Sequence, residues 1–253
     1  MNEQFVQKQA EVVAAYDRFI HEADPRDQTA YMASKFQVDY RLMGMIDVRD
    51  KRIINIGCAF PVDELYFAHK VKEWVGIDLS AESIRVAETI TRRELHPELA
   101  QRVRYEVQDA TAMTFADGEF DIGLSFSTFD HIPSHDKRQA AINELARVTK
   151  PGGQVIITTP NRYHLLYYAR SRSQQKRNLS HYGYEYCFAP GELKQMIVAA
   201  GLRPLHFVST FTYRTLDLKL SPAWQRPFIA AALRIVNSLS PFGHRMGYLA
   251  LKT

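Results

Sequence analysis

The stretch from Arg52 to Ser80, RIINIGCAFPVDELYFAHKVKEWVGIDLS, restricts the possible folds more than any other part of the chain. Ile53, Ile54 and Ile56 make a β-branched apolar run that stops at Gly57, a pattern of a buried strand rather than a helix. Residues 61–70 follow as a predicted helix, with Pro61 tolerated in its first turn and Leu65, Tyr66 and Ala68 available for packing. A second apolar run, Trp74 to Ile77, ends on Asp78, 21 residues after the glycine. Strand, glycine turn, helix, strand and acid is an order with a physical use. A small residue after a buried strand lets a ligand approach the backbone, and a helix N-terminus offers free N–H groups to an anion. An acid at the tip of the next strand can accept both hydroxyls of a ribose, so adenosine-type ligands are the expected class.

The dinucleotide version of this unit needs G-x-G-x-x-G, and the corresponding residues here are Gly57, Ala59 and Val62. The missing third glycine disfavours close passage of a pyrophosphate. A ligand with a single carboxylate in that place is less demanding, and S-adenosylmethionine is one.

With 253 residues, 46% of them hydrophobic and 11% aromatic, the chain can bury one large α/β core with an appendage, and disorder is not expected. Cys58 and Cys187 are too few for a disulfide framework, which points to a reducing cytosol. The opening MNEQFVQKQAEVV lacks a signal-peptide core and no uninterrupted apolar span occurs, so no membrane crossing is expected. Charge is unevenly spread. Residues 160–253 hold 13 Lys or Arg against Glu185, Glu192 and Asp217, whereas residues 1–159 hold 19 basic side chains against 25 acidic ones. Such asymmetry directs the C-terminal part at anionic material, or leaves it as a solvated basic face.

Along the chain, helices are predicted over residues 3–22 and 28–46, the second with Tyr31, Met32, Phe36, Tyr40, Met43 and Met45 as its apolar positions. After Asp78, Ser80 reads as the N-cap of a helix reaching His96-Pro97. Alternation of Val103, Tyr105 and Val107 marks a third strand over 102–108, ending at Asp109-Ala110. Phe120 to Phe126 is the fourth strand, residues 135–148 the next helix, and Gln154 to Thr159 the fifth strand after a Pro151-Gly152-Gly153 turn. This alternation argues for a parallel sheet with helices on both faces, whose ligands bind at the C-terminal strand ends. Gly57, Asp78, Asp109 and Ser125 all fall there.

Five pieces, INIGCA at 54–59, VGIDLS at 75–80, QDAT at 108–111, FDIGLSFSTFDHI at 120–132 and ELARVTKPGGQVIITTPN at 144–161, together resemble the class I S-adenosylmethionine-dependent methyltransferases, in particular their type 11 group. The resemblance implies a Rossmann-like seven-stranded sheet, mostly parallel with the last strand antiparallel. It would carry an N-terminal helical extension or lid over 1–48 and a methyltransferase domain over 49–253. The latter would include an acceptor-side insert at 160–189, a helix at 190–201, strands at 204–212 and 247–252, and an amphipathic insert at 213–246. It further implies that Gly57, Cys58 and Ala59 line the methionine part of S-adenosylmethionine, whose product is S-adenosylhomocysteine. Asp78 would take the ribose, Leu79 would lie beside the adenine, Asp109 and Ala110 would read its edge, and Ser125 and Phe126 would pass near the sulfonium. Two departures stand out: Asn55 replaces the family's usual acid, and Ala59 or Phe60 replaces a second glycine. They leave open a degenerate cofactor-binding partner subunit, and an NAD-dependent oxidoreductase is the more distant alternative.

Methyl transfer needs alignment and desolvation first, and a base only if the acceptor carries a proton that must leave. His131, in the loop after the fourth strand, is the first candidate for that base, with His164, His181, Tyr182 and Tyr184 behind it. The insert adds Arg162, Arg170, Arg172, Lys176 and Arg177, with five interleaved tyrosines and no acid from 160 to 184. Arginine forks in it would suit a phosphate or carboxylate, so a small or lipid-linked anionic acceptor is expected and nucleic acid is not. Pro222 to Ser240 reads as a basic amphipathic helix that packs between the last strands or rests on an anionic membrane surface, which would place the protein at the inner face of a membrane. No metal site is expected.

Overall fold

The structure, a computed structural model, describes residues 3–22, 38–177, 183–210 and 241–253. The predicted helical positions Tyr31, Met32 and Phe36, the acceptor candidates His181 and Tyr182, and the amphipathic segment 222–240 lie outside them.

Seven strands form one sheet: β1 (Arg52–Ile56), β2 (Glu73–Asp78), β3 (Val103–Val107), β4 (Phe120–Phe126), β5 (Thr149–Pro160), β6 (Leu202–Thr210) and β7 (Arg245–Lys252). Their order is β3-β2-β1-β4-β5-β7-β6. β1 to β5 pair in parallel, and β7 is antiparallel to both β5 and β6. Numbered among the described residues, the helices are α1 (Glu3–Glu22), α2 (Asp39–Met43), α3 (Val62–Phe67), α4 (Ala81–Glu94), α5 (Pro97–Ala100), α6 (His135–Val148), α7 (Leu165–Lys176) and α8 (Pro190–Ala199).

Strand side chains alternate between faces, so a sheet covered on both sides sorts its apolar residues into two cores. Ile54, Ile56, Val75, Ile77, Val155 and Ile157 pack with α6 and α8. Ile53, Trp74, Ile122, Leu124 and Ile156 pack with α2 and α3. Asp39 on α2 is fully buried and accepts Nη2 of Arg245 at 3.0 and 3.1 Å, which ties α2 to the start of β7. No described helix is long and apolar enough to cross a membrane.

Three local expectations need correction. β5 begins at Thr149, not Gln154, because Pro151-Gly152-Gly153 forms an irregular bulge within the strand: Phe120 pairs with Thr149 and Ile122 with Gln154. Val107 is 51% exposed although alternation placed it inward, because it ends β3, the edge strand of the sheet. The 160–189 insert contains a helix, α7, that periodicity did not indicate. Its inward stripe at i, i+4 and i+8 is Tyr167, Ser171 and Gln175, all bonded to Glu185 rather than to an apolar core.

Candidate active site

The C-terminal ends of β1, β2 and β4 meet at one crevice. Gly57 leaves β1 at φ +71, and Ala59 at φ +42 is also left-handed. Glycine is required at 57 for a second reason: the Thr128 side chain lies across it and donates its Oγ1 hydroxyl to the Ile56 carbonyl at 2.8 Å, in space a Cβ would fill. The turn is then fastened to β2. The Ala59 N–H donates to Asp78 Oδ2 at 3.1 Å and the Ser80 N–H to Oδ1 at 2.9 Å. Burial raises the Asp78 carboxyl above its ordinary range, opposed by these backbone N–H groups. Each carboxylate oxygen keeps a second lone pair for a hydroxyl. Beside it Leu79 is 38% exposed, an apolar side chain at the crevice mouth.

Ser80 caps α4 as expected, its Oγ accepting the Ser83 N–H at 2.9 Å, and donates to Asp17 of α1 at 2.5 Å. Farther along the rim, Asp109 Oδ1 accepts the Thr111 N–H at 2.8 Å, which sets the turn after β3, and Ala110 packs against the core. Ser125 is fully buried at the end of β4, its Oγ without a hydrogen-bond partner among the described residues, and Phe126 beside it is buried.

Sequence reasoning missed Glu64. Asn55 donates to Glu64 Oε1 at 3.1 Å, and the same oxygen accepts Trp74 Nε1 at 2.9 Å. Glu64 is fully buried, so α3 places a carboxylate 3.1 Å from the Asn55 side chain. Asn55 Oδ1 is buried with no hydrogen-bond partner among the described residues. Cys58, buried in the same turn, has its thiol pushed up by burial first and then by Asp78 and Glu64, so it is inert as a nucleophile.

The acceptor-side candidates are placed differently from expectation. His131 Nδ1 lies 2.8 Å from the Tyr184 carbonyl, which only accepts, so Nδ1 carries a proton. Its Nε2 faces Asp130 Oδ2 at 3.3 Å, and the Tyr16 ring of α1 meets the imidazole edge-on at 5.2 Å. Both nitrogens are thus directed at protein atoms. His164 is the N-cap of α7, its Nδ1 accepting the Tyr167 N–H at 3.0 Å. Arg162 donates through Nε to the Cys187 carbonyl at 3.0 Å and through Nη2 to Tyr186, with Glu192 at 3.2 Å. These contacts clamp β5 to α8 and use two of the nitrogens that would form an open anion fork.

Burial raises the Asp130 carboxyl from 3.8 to about 6, opposed by His131 and Arg245 and reinforced by Glu185. The folded chain therefore keeps this proton after the unfolded chain has lost it. The group's contribution to stability is fullest below pH 3.8 and is lost as pH rises through about 6. Asp130→Asn should accordingly raise the urea midpoint relative to the parent above about pH 6 and leave it unchanged below about pH 4. Equal gains at both ends would refute the assignment.

Comparison with known proteins bears on what this crevice is for. Residues 54–157 match the family described as "Methyltransferase domain". Residues 54–157 are thus similar to a methyltransferase domain over about two fifths of the chain. Tocopherol O-methyltransferase of Arabidopsis thaliana is 32% identical over 124 residues, which is 47% of this chain and 34% of that protein. The aligned part of this chain thus spans about a third of that curated relative's length. A methyltransferase chain from Haloferax volcanii, solved with a methyltransferase activator, superposes with a TM-score of 0.67 at 17% identity, covering 94% of this chain and 97% of that one. An S-adenosylmethionine-dependent methyltransferase from Methanosarcina mazei gives a TM-score of 0.59 at 21% identity, covering 84% and 96%. At those identities the structural likeness establishes the fold. The Methanosarcina mazei protein is S-adenosylmethionine-dependent, and the residues at the strand ends here carry groups that suit such a cofactor. The Asp78 carboxylate has lone pairs to spare, Asn55 and Ser125 have oxygens with no hydrogen-bond partner among the described residues, and Leu79 offers an apolar surface.

Proposed function

We propose that the protein transfers a methyl group from S-adenosylmethionine to a small-molecule or lipid-linked acceptor of anionic character. The observation that carries the transfer reading is the closure of the β1 turn onto the β2 acid, Ala59 N–H to Asp78 Oδ2. It sets the left-handed turn at 57–59 beside a carboxylate with lone pairs to spare, an arrangement that suits a ribose. The dinucleotide alternative is disfavoured by Val62, which packs with Phe60 and Ile90 in the space that a third glycine would leave open. Glu64 weakens the case for a degenerate relative, because it places a carboxylate beside Asn55.

Bound, the cofactor supplies a methyl group already activated on a sulfonium sulfur. Asp78 would hold the ribose, Asp109 and Ala110 the adenine edge, and Gly57, Cys58 and Ala59, with Asn55 and Glu64, the methionine end. Ser125 and Phe126 would border the reacting centre and exclude water. Helix α1 would cover the crevice, since Asp17 reaches the α4 cap and Tyr16 reaches His131. His131, with both nitrogens engaged, is better suited to holding the β4 exit loop against Tyr184 than to taking a proton from the acceptor. The basic excess of residues 160–253 supports an anionic character for the surface from which the acceptor approaches rather than for a pocket lining.

Calorimetry with S-adenosylhomocysteine and NAD tests the cofactor, and radiolabelled methyl transfer to a panel of small and lipid-linked acceptors tests the reaction. Binding of S-adenosylhomocysteine alone and label in an acceptor are expected. Binding without transfer to any acceptor would favour the degenerate reading, and preference for NAD would overturn both.

A further inference from the structure

Helix α7 has a fastened side and an open side. Tyr167 and Ser171 donate to the two carboxylate oxygens of Glu185, and Gln175 donates to its carbonyl, so one stripe faces the protein. On the other side Leu165 and Leu166 are 74% and 79% exposed, more than any other large apolar residue among those described. Tyr163, just before the helix, is 43% exposed and its ring lies 6.0 Å from that of Phe242, itself 53% exposed. Behind these apolar groups Arg170, Arg172, Lys176 and Arg177 are exposed, with no ion pair to a described residue. The nearest acid in sequence, Glu185, is held on the fastened side.

A pair of exposed leucines is costly in water, and four uncompensated cations beside them are costly against a neutral or basic partner. Both are satisfied by an interface with apolar depth and an anionic surface. α7 starts just beyond the C-terminal end of β5, on the rim where Gly57, Asp78 and Ser125 converge, so docking through it would turn the crevice mouth toward that interface.

We propose that the open side of α7, with Leu165 and Leu166 inserted and Arg172 and Lys176 on the headgroups, docks the protein on an anionic lipid bilayer. The docking goes beyond the methyl-transfer reading and rests on it only for what it serves, the capture of a lipid-linked acceptor. It also gives the insert's cations a role that their outward direction denies them as lining of an acceptor pocket.

The test is sedimentation of the full chain with vesicles of phosphatidylcholine, alone or with phosphatidylglycerol, at low and high salt. The protein is expected to pellet with the anionic vesicles at low salt and to stay in the supernatant with the neutral ones. Each basic residue near an anionic surface is worth about fivefold in partitioning, so Arg172→Glu with Lys176→Glu should lower it at least roughly thirtyfold. Leu165→Asp with Leu166→Asp should abolish it. S-adenosylhomocysteine binding, measured on the same preparations, should be unchanged in both variants. That binding reports on the methyltransferase domain separately, so its loss in the parent would count against the transfer reading and not against docking. Equal recovery of the parent in both supernatants, pelleting of both variants like the parent, or retention on single-stranded RNA without retention on vesicles would each overturn the proposal.

Discussion

Asp78→Ala is expected to weaken S-adenosylhomocysteine binding by roughly a hundredfold or more. The carboxylate accepts backbone N–H groups from both sides of the crevice, Ala59 at 3.1 Å and Ser80 at 2.9 Å, and offers its other lone pairs to a ribose. Hydrogen bonds to a charged group contribute about 1.5–3 kcal/mol each, so loss of two hydroxyl contacts alone removes about 3 kcal/mol. That corresponds to roughly two decades in Kd. Alanine would in addition release the left-handed Ala59 turn that the carboxylate holds in place. Asp78→Asn keeps an acceptor oxygen but puts an N–H₂ group against one of the two backbone donors, so it should fall between the parent and alanine. Calorimetric titration separates the three. An Asp78→Ala chain with the parent's affinity would remove the ribose assignment and the cofactor reading built on it.

How much of this was legible in the sequence depends on what kind of force shapes each part. Strands β1 to β4 and helices α4 and α6 follow hydrophobic periodicity, and Phe120–Phe126, His135–Val148 and the Ser80 cap were readable from residue pattern alone, whereas α8, β6 and β7 were expected only from the resemblance. That Gly57, Asp78 and Asp109 fall at the C-terminal strand ends was readable because the alternation of strands and helices fixes where each strand stops. Glu64 was not. An acid in the first turn of a helix ordinarily reads as a solvated complement to the helix dipole, and only its contacts with Asn55 and Trp74 disclose that it is buried. Helix α7 was hidden because its inward face is polar and its leucines point outward, the reverse of the pattern that periodicity detects. Arg162 looked like an anion fork because a sequence shows a guanidinium but not the carbonyl, phenol and carboxylate that surround it.

Gly57→Ala should be the most destabilising single methyl addition in the crevice, and its cost should divide into two separable parts. The first is conformational: φ of +71 costs an L-residue about 1–2 kcal/mol whatever its neighbours. The second is steric, because the new Cβ would enter the space of Thr128 and come within 2.8 Å of its Cβ. Overpacking of that kind costs about 1–3 kcal/mol. The sum, about 2–5 kcal/mol, corresponds to a fall in Tm of roughly 5–15 °C for a chain of this size. Thr128→Ala alone should cost only about 1 kcal/mol, the hydroxyl bond to the Ile56 carbonyl. In the double variant Gly57→Ala/Thr128→Ala the steric part should be largely relieved and the conformational part should persist. The double variant should therefore be more stable than the sum of the singles predicts, by about 1–2 kcal/mol of coupling. Additive losses would mean that the glycine serves the left-handed turn alone. Full recovery would mean that it serves only the passage of Thr128. Partial recovery with S-adenosylhomocysteine binding still impaired is the outcome the geometry requires, because the turn that presents Cys58 and Ala59 depends on the φ and not on the space.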